Sequence, residues 1–183
     1  MRPRFREDKA TQAAALLLSW AGGSMNYMKL IKLLYLGDRT ALLRWGRPIS
    51  FGRAVSMKHG PVLSEVLDLI NVGSAPGAES IWSRTISAPA NYEVRLNAAC
   101  EAEDLSDAEE AVLREVYDEY GSIHHWDLVD RLHKELPEWM ATVSSIPINP
   151  QDILLREGYT KAQADEIVDE LEMLAMLERA TAT

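Results

Sequence analysis

Three histidines and two aspartates in the second half of the chain are residue types that could hold a metal ion. His124 lies three residues before Asp127, Asp130 lies three residues before His133, and His125 directly follows His124. On a helix each pair would share one face, but a pair supplies only two of the three or four protein ligands of a zinc site. No HExxH motif is present, and the chain has no obvious further pair of ligands that would complete a site. We therefore expect no metal and no cofactor, and interpret these histidines as packed, capping or solvated groups.

His59 is the remaining histidine that could act in catalysis, with Ser56, Ser64 or Cys100 as the nucleophile. No GxSxG elbow marks a nucleophilic serine, and no glycine-rich loop of the GxGxxG or GxxxxGK type could cradle a phosphate. Cys100 is the single cysteine, so an intramolecular disulfide is excluded. The pattern favours a protein that is not an enzyme.

Helical periodicity dominates the elements that would position these residues. Residues 27–45 have so narrow a polar strip, made of Lys29, Lys32 and Arg39, that we expect this helix at the centre of the core. Capping boxes at Ser106 and Thr160 begin two later helices. The predicted helices span residues 9–21, 27–45, 61–70, 106–120, 122–136, 151–157 and 161–179.

Strand signals are few. Residues 49–57 connect two helices and could include a strand, and Pro61 is expected to begin the helix that follows. Alternation in 81–86 and 92–96, on either side of a proline turn, predicts a β-hairpin. Because no repeat or low-complexity linker interrupts the chain, the predicted fold is mainly α (α+β), a single helical domain over 1–183 with a small β-hairpin.

Charge limits the possible partners. The formal net charge is −9, and the last predicted helix is rich in acidic residues. These negative charges would repel nucleic-acid phosphates. We therefore do not expect DNA binding. Basic residues lie mainly in the first third, which fits either a basic face for an acidic partner or an uneven surface on a monomer. No apolar run reaches the length of a membrane span, and no signal peptide is evident, so a cytoplasmic protein is expected.

Four sequence blocks together resemble a known family. They are MNYMKLIKLLYLGDR at 25–39, GRPI at 46–49, KHGPV at 58–62 and, after Tyr120-Gly121 and Leu128-Val129, HKELPEW at 133–139. Their order and spacing are similar to the Panacea domain of SocA-like antitoxins, a former domain of unknown function that is also linked to a phage-associated protein. Ile31 and Leu132 depart from the family pattern, where Gln and Thr are common. The resemblance covers 25–139, and 146–183 would form a C-terminal helical extension.

The resemblance implies an antitoxin of a bacterial or prophage toxin–antitoxin system that neutralises its cognate toxin by direct protein binding. It also implies a possible adaptor role, in which the toxin is delivered to a protease of the AAA+ type. Charged and amphipathic motif residues would contact the toxin, namely Lys29, Lys32, Arg39, His59 and Trp139. The other motif residues would form the scaffold, namely Leu30, Leu33, Leu34, Tyr35, Gly46, Pro48, Gly60, Pro61, Val62 and His133.

Two alternatives stay open from the sequence. A phage-associated or regulatory module could bind a host protein without any toxin, using the same type of surface. A small metal-dependent hydrolase could be built around His59 or around the histidines of 124–133.

Overall fold

Helices account for most of the residues that the computed structural model describes, which are 1–72, 80–99 and 102–182. The mainly α prediction with a small β component is confirmed. No helix in these ranges is long and apolar enough to cross a membrane. The helices are α1 (Glu7–Trp20), α2 (Tyr27–Trp45), α3 (Ser64–Val72), α4 (Ile81–Thr85), α5 (Asp107–Tyr120), α6 (His125–Glu135), α7 (Pro150–Arg156) and α8 (Lys161–Thr181). The strands are β1 (Ser24–Asn26), β2 (Ala54–Met57), β3 (Gly60–Leu63), β4 (Glu93–Arg95) and β5 (Ile146–Pro147).

Helix α2 is the central element, as its narrow polar strip predicts. Every residue from 30 to 38 is buried, and the helix packs against α1, α5, α6 and β3. The Asn26 side chain accepts hydrogen bonds from the backbone N–H groups of Met28 and Lys29, which caps the first turn. Gly46 ends the helix with φ of +74°, a left-handed conformation that favours glycine.

Two small antiparallel sheets flank this helix. Strands β1 and β4 form one sheet, with Met25 opposite Val94. The other sheet has the order β3-β2-β5, with Val55 opposite Val62 and Ser56 opposite Ile146. The short β2–β3 connection places Lys58 and His59 at the end of this sheet.

The prediction that a helix begins at Pro61 is wrong about where the helix starts. Residues 60–63 form β3, and helix α3 begins only at Ser64. Four apolar or small residues, Gly60 to Leu63, are buried together because they pair with β2 and also lie against α2. A proline suits the first helical turn and a strand at the margin of a sheet equally well, so the local signal could not separate the two.

The predicted β-hairpin over 81–86 and 92–96 is also largely wrong. Residues 81–85 form helix α4, which the capping box of Ser80 and Ser83 begins. Strand β4 pairs with β1 instead, and only an isolated bridge between Ile86 and Leu96 joins the two predicted strands. Within six residues, buried positions three or four apart are easily mistaken for alternation.

The C-terminal helices α7 and α8 pack on each other and on one end of α2 through their own apolar cluster. Buried residues of this cluster include Leu42, Ile153, Leu154, Ala164 and Leu171. The hydroxyl of Tyr159 donates to the backbone oxygen of Leu43, which joins the connection between α7 and α8 to the end of α2.

We expect Asn26→Ala to lower the free energy of unfolding by about 1 kcal/mol, because the first turn of α2 loses its side-chain acceptor. Asn26→Asp keeps an acceptor oxygen at the same place and should stay near the wild type. Urea denaturation followed by circular dichroism measures both variants. Equal losses in the two variants would contradict the capping role.

Candidate functional site

The family-like blocks, which lie far apart in the sequence, meet around the first half of α2. The Lys32 ammonium donates a 2.9 Å hydrogen bond to the backbone oxygen of Pro61, at the start of β3. Only 2% of Lys32 is exposed. Among the described residues no carboxylate lies within 4.0 Å of its nitrogen, so its charge has no ionic partner there. Burying an ionisable lysine without an ionic partner is energetically costly. Lys32 is nevertheless buried, next to the turn at Gly60.

Gly60 allows this close approach. Its φ is +95°, and a Cβ atom there would lie 3.2 Å from Lys32 Nζ and 3.6 Å from His133 Cδ2. The turn therefore needs glycine both for its conformation and for the space that Lys32 and His133 occupy.

His133 connects this turn to the segment that follows α6. Its ring stacks on Trp139 with centroids 3.8 Å apart and planes 9° from parallel. The Trp139 indole N–H donates to the backbone oxygen of Met57 at 2.9 Å, and the N–H of Met140 donates to the buried Ser56 hydroxyl. Two hydrogen bonds therefore join the segment from His133 to Met140 to strand β2.

Burial controls the protonation of this cluster. It lowers the pKa of Lys32 to about 7. Burial also lowers the pKa of His133, and the nearby Lys32 charge lowers it further. The Nε2 atom of His133 is buried and has no hydrogen-bond partner among the described residues.

A second polar cluster lies one to two turns along α2, where Tyr35 and Arg39 both bind Glu138. The Tyr35 hydroxyl donates to Glu138 at 2.5 Å, and Arg39 Nε donates to the same oxygen at 2.7 Å. Arg39 also forms an ion pair with Glu157, just beyond α7. Burial opposes ionisation of Glu138, but the hydrogen bonds from Arg39 and Tyr35 outweigh it and lower its pKa.

Glu138 and Asp38 are the site residues that sequence reasoning missed. Asp38 accepts hydrogen bonds from the N–H and the hydroxyl of Ser50, at 2.9 and 2.6 Å, and burial raises the pKa of Asp38 to about 6. Both carboxylates lie inside the family-like blocks. The position of Glu138 between Pro137 and Trp139, in the last of these blocks, is a signal that could have identified it.

An exposed aromatic and basic surface lies above the Gly60 turn. We define the Trp126 patch as Lys29, Lys58, His59, His125 and Trp126. The His59 and Trp126 rings meet edge to face at 5.2 Å, and the His125 ring lies 5.5 Å from Trp126. Desolvation, His124 and Lys29 lower the pKa of His125 against the opposing effect of Asp127, which places Lys29 and Asp127 near this surface.

The residues predicted to contact a partner do not share one surface. Lys29 is half-buried and His59 is exposed, both in the Trp126 patch, whereas Trp139 is half-buried and stacks on His133. The prediction that Lys32 lies on a contact surface is wrong, because its side chain points inward to Pro61. Arg39 is mostly buried, and its two ion pairs already use its charge.

The ten residues predicted as scaffold are mostly buried. Gly46, Pro48 and His133 are half-buried, whereas the others are buried. The buried ones are Leu30, Leu33, Leu34, Tyr35, Gly60, Pro61 and Val62.

The residues considered for catalysis do not assemble among the described residues. No group of three or more His, Cys, Asp or Glu side chains in these ranges is placed to hold a metal ion. The Ser56 hydroxyl is bound to Met140 and the Ser64 hydroxyl to Glu65, so neither is hydrogen-bonded to His59. Cys100 lies outside the described residues.

A cavity of about 800 Å³ lies on the other side of Arg39, between α2, β2 and the C-terminal helices. Tyr35, Arg39, Phe51, Ile148 and Leu171 are among its lining residues. It is separate from the Trp126 patch, none of whose residues line it.

Comparison with known families identifies the region of the chain that includes this site. The profile of the family described as "Antitoxin SocA-like, Panacea domain" matches residues 30–140, which is more than half of the chain. The chain belongs to the SocA-like antitoxin family. The matched Panacea region extends from the first buried turn of α2 through Met140, so it includes Lys32, Gly60, His133 and Glu138. Searches of curated proteins and of solved structures find no match.

The Panacea assignment supports a role related to toxin–antitoxin systems. The C-terminal helices α7 and α8, together with Glu157, lie outside the matched region. One ion pair of Arg39 is therefore made within the family region, with Glu138, and the other joins that region to the extension.

The buried Lys32 predicts a specific dependence of stability on pH. Its pKa is about 7 in the folded protein against an ordinary 10.5, so between these values the unfolded chain binds more protons. The Lys32 contribution to the free energy of unfolding therefore rises by about 3 kcal/mol from pH 7 to pH 9.5. We expect Lys32→Met to remove this increase, and Lys134→Met, which changes an exposed lysine, to keep it. Urea denaturation at both pH values tests this, and the same pH slope in Lys32→Met and the wild type would refute it.

Proposed function

We propose that this protein is the antitoxin of a toxin–antitoxin pair and neutralises its cognate toxin by binding the toxin protein directly. The observation that carries the proposal is the family match over 30–140, because this region contains most of α2, the β2–β3 turn and α6, the elements that build the site. The alternative of a binding module without a toxin differs only in its partner, so the choice depends on the partner test below.

The buried contacts support binding through a preformed surface. Lys32 holds the start of β3, and the Trp139 indole holds the end of β2, on the two sides of the connection that carries His59. Tyr35 and Arg39 hold Glu138 against α2. A surface supported in this way loses little conformational entropy when a partner binds, which favours tight complexes.

The proposed roles of the motif residues follow from their positions. Lys29 and His59 are available to a toxin, because Lys29 is partly exposed and His59 is exposed. Trp139 supports the turn through the Met57 carbonyl. Lys32 and Arg39 act from inside, as positioning residues for the turn and for Glu138.

Co-expression tests the proposal. The product of the adjacent gene, induced alone, should arrest growth, and simultaneous expression of this protein should restore colony formation by at least about a thousandfold. An immunoblot should show unchanged toxin levels, because neutralisation by binding leaves the toxin intact, and the two proteins should co-purify.

The Leu33→Asp variant is a negative control. It places a charge at a fully buried position of α2, so it should abolish both rescue and co-purification. A growth arrest that the wild-type protein does not relieve, without a co-purified complex, would refute the proposed function.

A further inference from the structure

The Trp126 patch combines an exposed anchor with a continuous row of aromatic rings. Trp126 lies in the first turn of α6 and is 47% exposed. On one side its ring meets His59, and on the other side it meets His125, whose ring lies 4.1 Å from that of His124. Large exposed aromatic side chains that neighbouring rings hold in place are typical anchors of protein interfaces.

Within the described residues, no ion pair uses the lysine charges of the patch. In the described ranges, no carboxylate oxygen lies within 4.0 Å of the nitrogens of Lys29 or Lys58, although Asp127 and Asp130 lie on the same helix as Trp126. Several cations elsewhere are paired, for example Lys9 with Glu109 and Arg44 with Glu115. In a chain with a net charge of −9, this surface is therefore one place where cations remain open to an acidic partner.

The position of the patch is set by the buried cluster. His59 directly precedes Gly60, whose conformation and packing are fixed by Lys32 and His133. Trp126 lies in the first turn of α6 and His133 in its last turn, where the His133 ring is stacked on Trp139. The exposed rings thus stand on two elements that the same buried side chains hold together.

We propose that the Trp126 patch is the docking surface for a carboxylate-rich segment of the toxin polypeptide, with Trp126 as the apolar anchor and Lys29 and Lys58 as the groups that pair with its carboxylates. The inference rests on the proposed function and specifies where and how the toxin binds. A protein segment fits better than a nucleic acid, because the patch holds only two exposed or half-exposed lysines in a strongly acidic chain.

Binding measurements with the purified toxin, the product of the adjacent gene, test this surface. Trp126→Ala should raise Kd by about 30-fold, the effect of losing an interface hot spot. Lys58→Glu should raise Kd by about tenfold and mainly slow association, because steering by charge acts before contact. Wild-type binding should also weaken between 50 and 500 mM NaCl, and this salt dependence should be smaller in Lys58→Glu.

Trp45→Ala and Arg47→Glu are matched controls. Trp45 is also an exposed tryptophan, at 37%, and Arg47 is an exposed cation. Trp45 lies about 24 Å from Lys29 along α2, at 1.5 Å per residue. Both control variants should bind the toxin with the wild-type Kd, and all four variants should keep the wild-type circular dichroism spectrum.

The outcomes separate the two proposals. If the wild-type protein binds the toxin and Trp126→Ala and Lys58→Glu bind it as tightly as the controls do, the docking surface is refuted while the proposed function stands. If the wild-type protein neither binds nor neutralises the toxin, the proposed function is refuted as well. A single-stranded RNA that binds the wild type and loses binding in Trp126→Ala, while the toxin still binds that variant, would assign the patch to nucleic acid and overturn the inference.

Discussion

The burial of α2 on all sides is the constraint on which the rest of the structure depends. The nine consecutive residues 30–38 are all buried, and two of them, Lys32 and Asp38, carry side chains that are charged in water at neutral pH. Because an unpaired polar group is costly inside a protein, each must find its partner in another segment. Lys32 finds the Pro61 carbonyl and Asp38 finds Ser50, so the covering segments are held in register as well as packed.

The same constraint connects the interior to the surface. The partners of α2 lie in turns and segment ends, next to residues that solvent can reach: Pro61 is two residues from His59, and Glu138 precedes Trp139. Lys32 and Tyr35 hold these segments from inside, and contacts among the exposed rings add to the arrangement of the surface. The family region therefore consists of an interior that positions a surface, and the residues of its motifs are divided between the two tasks.

Much of the fold could be predicted from the sequence because its signals are local. The bounds of α2 agree with the prediction at both ends, and the capping boxes at Ser106 and Thr160 begin α5 and α8 as expected. The errors fall where the local signal is short. Residues 60–63 and 81–85 each hold too few positions to distinguish strand from helix, and their state depends on which segment they pack against. Strand β1 has three residues and exists because β4 pairs with it.

The sequence by itself determined the helical class, the central place of α2 and the family, because periodicity, capping and motif spacing are properties of neighbouring residues. Only the tertiary structure decided what the charged motif residues do. Lys32 and Arg39 share a helical strip with Lys29, yet Lys32 is enclosed by the Gly60 turn and Arg39 is paired with Glu138, while Lys29 remains partly open. Whether a side chain on a helix meets solvent depends on segments that are distant in sequence, and the same holds for the meeting of His59 with Trp126 across 67 positions.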